Sequence, residues 1–436
     1  MLSVKEGKVW KNWSESVISE PAQFYEPKSL EQLIDIVIQS AEKDLSIRVV
    51  GAGHSFTPLV ATSHVLISLD QLTGIDTIDH ENKLATVWAG TRLKDLGPEL
   101  FERGYAMENL GDINEQTVAG AISTGTHGTG IEFGGISTQV EGVTLLTASG
   151  DLLEISSTKN SKYFEAVRLS LGMLGIIVKV TLRVEKAYQL VGESYRLNLD
   201  ECLVNLDKLQ TDNRNFEFFW FPYTETVQVK TLNYVQDETM KKTGKQTFKN
   251  VVVENGLFWS LSQVSRMIPR TAKYVSAISA LGVPVGKKMN DSYITYATPR
   301  LVKFNEMEYS VPAEAMGSVV KDIHHLLEKE KYNVHFPIEC RYVKSDSIWL
   351  SPSYQRKSAY IAIHMYKGME YSDYFQAVEK LFQVYDGRPH WGKMHNMEYD
   401  KLKEHYPKLK DFLQIREELD PKGLFLNSYL KKLFQL

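Results

Sequence analysis

Two glycine-bearing loops and one spaced pair of charges are the parts of this sequence equipped for chemistry. The first loop is VVGAGHSF, Val49 to Phe56. A β-branched run feeds Gly51, Ala52, Gly53, His54 and Ser55. Glycine accepts positive φ, so successive backbone N–H groups can turn into one hollow and hold an anion, above all a diphosphate. Strand-Gly-x-Gly turns are also common as plain turns, and this one lacks the third glycine and helix start of the dinucleotide fingerprint. The second loop is NLGDINEQTVAGAISTGTHGTG, Asn109 to Gly130. It supplies Gly111, Gly120, Gly125, Gly128 and Gly130, with hydroxyls at Thr117, Ser123, Thr124, Thr126 and Thr129. Small residues let a flat ligand approach the backbone, and hydroxyls add donors. A flexible surface loop is the plain alternative, against which Val118, Ala119 and Ile122 argue because they are residues of buried type. The spaced pair is Glu339 and Arg341 in IECR. On a strand they share a face, with Cys340 on the other; spacing alone leaves a solvated strand face equally open.

The elements that must position these groups follow from periodicity. Lys28 to Ala41 carries apolar residues at helical spacing, and Ile47 to Val50 is a strand ending at Gly51. Val65 to Leu69 and Lys83 to Ala89 read as strands, and Leu93 to Arg103 as a helix. Asn109 to Gly135 has little periodicity, and a stretch this long inside a compact domain is usually functional. Val140 to Thr147 and Asp151 to Ile155 flank the turn Ala148-Ser149-Gly150-Asp151 as a hairpin. Ile176 to Val184 closes this half. Beyond residue 186 the composition shifts to denser aromatics, as in FEFFWFPY, Phe216 to Tyr223. Lys303 to Pro312, Val334 to Val343 and Tyr360 to Tyr366 read as strands, Glu314 to Glu330 as a helix, and the tail from Tyr399 as mostly helical. The reading is α+β, with residues 1–185 as one domain and 186–436 as a second, built on an antiparallel sheet flanked by helices.

Bulk properties narrow the partners. A chain of 436 residues is too long for one ordinary core. The net charge is −4 and Lys and Arg are dispersed, so no basic stripe is available to follow a nucleic acid. Cys202 and Cys340 make neither a disulfide framework nor a CxxC metal site, and reduced thiols in a cytoplasmic protein are the expectation. No cluster has metal-ligand spacing, so no metal is expected. MLSVKEGKVWKNWSES has no signal-peptide h-region. Leu257 to Val285 is apolar but interrupted by Arg266, Arg270 and Lys273. A helical packing segment is the favoured reading, and a helix lying on a membrane surface the second.

Together the two loops resemble the vanillyl-alcohol-oxidase-type flavoproteins, whose FAD-binding domain also occurs in p-cresol methylhydroxylase. IECR, RPHWGKMH (Arg388 to His395) and DPKGLFLNSYL (Asp420 to Leu430) are similar to the branch of gulonolactone, arabinonolactone and alditol oxidases. The resemblance spans nearly the whole chain; Leu232 to Arg300 carries no matching motif. It implies a two-domain fold with a substrate-binding cap and FAD attached covalently through His54, imidazole being a competent nucleophile. Gly51, Ala52, Gly53, Ser55 and Phe56 would wrap the diphosphate. Thr117, Gly120, Ser123, Thr124, Thr126, His127 and Gly128 would line the diphosphate and the ring system, with Ile177 and Val178 on a late strand. Gly111 implies access for dioxygen, because a bulkier residue there shields the cofactor in related lactone dehydrogenases.

The implied reaction removes a hydride from a carbinol carbon and a proton from its hydroxyl. Lys393 is the implied base or alkoxide stabiliser, Arg341 a fixed positive charge, and Glu339 a partner of Arg341 that also binds a substrate hydroxyl. His390, His395 and His364 are implied substrate ligands, and Cys340 is expected buried and inert. The expected substrate is an aldonolactone, with dioxygen reduced to hydrogen peroxide. The alternatives are an alditol oxidase, a lactone dehydrogenase using a quinone or cytochrome, and a non-catalytic flavin- or sugar-binding protein.

Overall fold

The computed structural model describes residues 4–236, 240–243, 248–297 and 302–436, with 248–255 as backbone. Two small sheets form the first unit. In one, Ile47–Val50 and Gln23–Tyr25 run parallel on either side of Val65–Ser68. The helix Leu30–Glu42 bridges two of these strands; Ser29 caps it by accepting from the Gln32 N–H, and Leu33, Ile36 and Val37 are buried beneath it. The other is antiparallel, in the order Leu152–Ser156, Val140–Leu146, Ile176–Arg183, Leu84–Trp88, Ile75–Asp79. The predicted hairpin is present, with Leu146 opposite Leu152. Ile75–Asp79 escaped the sequence reading because its burial is partial and its alternation weak.

The second unit is an eight-stranded antiparallel sheet. Its central strands are Asn215–Trp220, Ile338–Val343, Ser358–Tyr366 and Phe304–Pro312. The register sets Glu217 opposite Arg341, Glu339 opposite Ala362, and His364 opposite Glu306. Because side chains alternate, Glu217, Arg341, Glu339, His364, Glu306 and Glu308 all project from one face. The other face carries Phe216, Phe218, Cys340, Ile361, Ile363 and Met307, all buried. The helices Met316–Glu330 and Ser372–Val384 bury Val319, Ile323, Leu327, Phe375, Val378 and Phe382 in the same core. Both faces are therefore covered, and these strands are buried along almost their whole length.

The charged face meets the first unit through the two glycine loops. The Gly130 N–H donates to the Tyr342 carbonyl at 2.8 Å, and the Phe56 N–H to the Gly392 carbonyl at 2.7 Å. The C-terminal tail returns to the first unit rather than staying with the second. Asn427 Nδ2 donates to the carbonyls of Pro58, Leu59 and Ala61, and the Ile47 N–H to Leu424. The apolar segment at Leu257 to Val285 forms parts of two helices, Phe248–Met267 and Ala272–Gly282. It is helical and packs, as the favoured reading expected, but on one side only: Met267, Tyr274 and Leu281 are exposed.

Candidate active site

The two loops close one cleft. The floor is so tight that a Cβ on Gly51 would lie 2.4 Å from Thr117 Oγ1, and one on Gly120 would lie 2.9 Å from the same atom. Thr117 caps the short helix Val118–Thr124 through that oxygen, which accepts from the Gly120 N–H at 3.2 Å. Gly53 has φ of +70°, the conformation its turn requires. Backbone from Val49 to Ser55, Gln116 to Thr124, and Leu171 to Ile177 lines this cleft, with Phe425 of the tail at one end. Among the described residues no Asp or Glu lines it, whereas a buried arginine does. Arg48 has four carbonyl partners, Leu59, Leu171, Gly172 and Phe425, and burial pushes its guanidinium down to about 10. A long slot of peptide groups and hydroxyls, free of carboxylates and backed by a cation, suits an extended dinucleotide with an anionic centre.

A second cleft continues from the first, sharing His54, Ser55, Gln116 and Thr124. Gly111, Thr126, His127, Glu339, Arg341, His364, His390 and Lys393 line it, joined by Asp112, Glu306 and Glu308. Residues 54, 126, 341 and 393 are thus brought to one place by the register of the sheet and the pinning of the loops.

Its electrostatics are a web of buried pairs. Lys393 Nζ donates to Glu306 Oε2 at 2.5 Å. Burial works against the Glu306 charge, yet Lys393 and the hydrogen bond from His364 outweigh it and hold that carboxyl down at about 2. Glu308 is likewise held well below the usual range, with His127, at 3.3 Å, foremost in overcoming its burial. Arg341 donates through Nε to Glu217 at 3.1 Å, lies 3.1 Å from Asp112, and bonds Glu339. Burial disfavours its charge, but Asp112, Glu217 and Glu308 raise its pKa above the ordinary value. The three carboxylates Asp112, Glu217 and Glu339 could themselves cradle a metal, as could His127, Glu308 and His390, groups that local spacing did not reveal. In the first the guanidinium already sits among them; in the second His127 lies 3.3 Å from Glu308.

Two histidines have opposite hydrogen-bonding duties. His390 Nδ1 accepts from the Gly392 N–H at 3.0 Å, so the proton of the neutral ring sits on Nε2 and can be donated. Burial first, then Lys393, pushes this ring down to about 3. His364 Nδ1 faces the Pro337 carbonyl at 3.1 Å and must donate to it, which turns Nε2 toward the acids of the same sheet face. Glu306 and Glu339 stand 3.6 and 3.9 Å from that Nε2. His54, stacked on Trp13 at a centroid distance of 5.7 Å, is lowered to about 4, chiefly by burial and then by Lys393.

Four residues named from motifs do not line either cleft. Phe56 packs behind the wall against Trp13 and Phe304, with Lys393 above its ring. Gly128 serves a close chain crossing, where a Cβ would lie 2.2 Å from the Leu110 carbonyl oxygen. Val178 is a core residue whose carbonyl accepts from the Ala89 N–H. His395 is enclosed beside Trp391, and neither ring nitrogen has a hydrogen-bond partner among the described residues. Conversely, Asp112, Glu217, Glu306 and Glu308 were missed. The signal for the last two was present: in FNEMEY two acids alternate with apolar residues in a strand otherwise fit for burial on both faces. Cys340 is buried as expected, and burial drives its thiol well above the ordinary value.

A slot for a dinucleotide that opens into a cage of buried charges defines an FAD-binding oxidoreductase. Comparison with known proteins agrees: the FAD-binding domain family matches residues 21–156. The chain belongs to the D-arabinono-1,4-lactone oxidase family, whose sequence model matches residues 180–433. It is 35% identical over 424 residues to the L-gulono-1,4-lactone dehydrogenase of Mycobacterium tuberculosis, covering 97% of this chain and 98% of that protein. It is 34% identical to the L-gulonolactone oxidase of Mus musculus, with 100% of both chains covered. The D-arabinono-1,4-lactone oxidase of Yarrowia lipolytica is 39% identical over 219 residues, 49% of this chain and 42% of that one. The cholesterol oxidase of B. sterolicum shares the fold, with a TM-score of 0.86 at 15% identity over 99% of this chain and 97% of that one. The kinship, the cofactor and the α+β class expected from the motifs are therefore correct.

Proposed function

We propose that this protein oxidises a secondary alcohol carbon of an aldono-1,4-lactone and passes the electrons to dioxygen, forming hydrogen peroxide. The observation carrying this reading is the cage at the junction with the first cleft, where Lys393, Arg341, Glu339 and His364 converge. Bound FAD supplies the acceptor for the two electrons and the hydrogen that leave the carbinol carbon. The chain supplies the rest. Gly51 to Ser55 and Thr117 to Thr124 would hold the cofactor, and His54, a neutral imidazole at the junction of the clefts, would be its point of covalent attachment. Glu339, braced by Arg341, accepts a hydrogen bond from a substrate hydroxyl, and His390 donates one through Nε2. The hydroxyl proton passes to the His364–Glu306 pair, whose facing atoms stand 3.6 Å apart with Glu339 beside them. Lys393 and Arg341 place fixed positive charge where the alkoxide develops; one such donor is worth about 10²–10³ in rate.

Dioxygen as acceptor rests on Gly111, which lines the second cleft and brings no side chain to it. The name of the mycobacterial relative, a dehydrogenase, favours a second reading in which another acceptor takes the electrons. A cytoplasmic setting belongs to the same proposal, because Cys202 and Cys340 are both free thiols and buried. The test is an anaerobic screen of aldonolactones and alditols for loss of the visible flavin absorbance, followed by admission of air. Bleaching by lactones and prompt recovery with peroxide are expected. Bleaching by alditols alone would overturn the substrate, and failure to recover in air would overturn the acceptor.

A further inference from the structure

We propose that the helical hairpin at 256–285 docks the enzyme on the surface of an anionic lipid bilayer. Among the described residues, the stretch 256–267 of the helix Phe248–Met267 and the helix Ala272–Gly282 are anchored by one face only. Phe258 packs on Phe336 with ring centroids 4.9 Å apart, Ser262 Oγ lies 3.0 Å from His335 Nε2, and Gln263 donates to the Tyr366 hydroxyl at 2.7 Å. On the second helix Ser276 donates to the Pro222 carbonyl, and Ala280 packs with Phe219 and Phe221.

The outer face is apolar and open. Tyr274, Ile278 and Leu281 recur at helical spacing along the second helix, and Leu257, Val264 and Met267 along the first, all exposed. Met267 is 71% exposed and Leu281 73%. Trp259, Ile268 and Val285 are exposed beside them, and apolar side chains grouped in this way on a protein surface mark an interaction site.

Charge selects the occupant. The chain as a whole is acidic, at −4, but from Gly256 to Asn290 it contains Arg266, Arg270, Lys273, Lys287 and Lys288 and no Asp or Glu. Arg266, Arg270 and Lys273 lie exposed at the turn between the two apolar stripes, and Lys287 reaches Glu193 of the neighbouring strand. Apolar side chains bordered by cations match the interface of a bilayer with acidic headgroups. A protein partner of the same net charge would gain nothing from the acid-free stretch. Among the described residues no helix is long and apolar enough to cross a membrane, so the attachment is peripheral.

The FAD-loaded enzyme is sedimented with vesicles of phosphatidylcholine alone and of phosphatidylcholine with phosphatidylglycerol. Binding is expected to the mixed vesicles, weaker to the neutral ones, and reduced by salt. The double variant Ile278→Glu, Leu281→Glu changes only exposed positions; it is expected to lower the bound fraction at least tenfold and leave lactone oxidation in solution unchanged. Arg270→Glu, Lys273→Glu should remove the preference for acidic lipid. No binding to either vesicle would overturn the proposal, as would binding that both double variants retain. Light scattering that finds a dimer dissolved by Ile278→Glu, Leu281→Glu, without vesicle binding, would assign the face to a second copy and also overturn it.

Discussion

Replacing Lys393 by Met separates its two duties, charge partner and catalytic cation. Glu306 is fully enclosed, and Lys393 is the largest influence holding its carboxyl down at about 2. Removing one member of a buried pair strands the other charge at a cost of about 3–5 kcal/mol, whereas replacing both by neutral groups is often nearly neutral. Lys393→Met should therefore lose stability of that order at pH 7, and Lys393→Met, Glu306→Gln should recover most of it. Catalysis should behave differently. The rate of anaerobic flavin reduction by lactone should fall about 10²–10³-fold in the single variant and stay low in the double, because the missing cation is not replaced. Urea denaturation and stopped-flow absorbance of the three proteins supply both readings. A double variant that regained the reduction rate along with stability would mean Lys393 serves only to neutralise Glu306, and the assigned role would fall.

Other consequences are as direct. Gly51→Ala forces a Cβ toward Thr117 Oγ1, 2.4 Å away in the present geometry; FAD content after purification should drop sharply while far-ultraviolet circular dichroism is kept, and full flavin occupancy would contradict the cradle. His54→Ala should leave an acid-precipitated pellet colourless where the parent pellet is yellow; equal colour would remove the covalent link. Gly111→Ala puts a Cβ 2.9 Å from the His127 carbonyl oxygen, so the chain there must give way; recovery of the flavin colour in air should slow more than bleaching by lactone, and equal slowing would refute the oxygen path. Acid should destabilise the fold: His54, His335 and His395 are lowered to about 4 and His390 to about 3, mainly by burial. These rings are neutral when folded, so the unfolded chain binds more protons as pH falls below the usual histidine value of 6.5, and the loss is complete only near the folded values. At pH 5 each costs about 2 kcal/mol, against which Asp346, raised to about 6 by burial, returns about 1 kcal/mol. A urea midpoint unchanged between pH 7.5 and pH 5 would contradict these burials.

Some strands were legible because alternation and β-branching announce them, and Phe304–Pro312 and Ser358–Tyr366 fall within a residue or two of their expected limits, whereas Gln189–Asn198, Asn215–Trp220 and Thr226–Tyr234 of the same sheet were not read as strands. The helix Val118–Thr124 was not. It is 7 residues long and built of Gly, Ala, Ser and Thr, so propensity is silent, and only the Thr117 cap and the left-handed Gly125 mark its ends. The site divides in the same way. His54 and Lys393 stood out through their motifs, and Glu339 with Arg341 through period-two spacing. Glu217 and Asp112 could not be found, since their importance lies in facing Arg341 across a sheet and a loop, and register is not written in local sequence. The four motif residues that missed the clefts failed for a related reason. A motif fixes the chain's path, and alternate side chains along that path point into the core.

The account stands on one cofactor lying through both clefts, and a structure of the FAD-loaded enzyme tests it most directly. The diphosphate is expected between Gly51–Ser55 and Thr117–Thr124, with the ring system joined to His54 and facing Lys393 and Arg341. Density placing the ring system at the opposite end, beside Arg48 and Phe425, would contradict it.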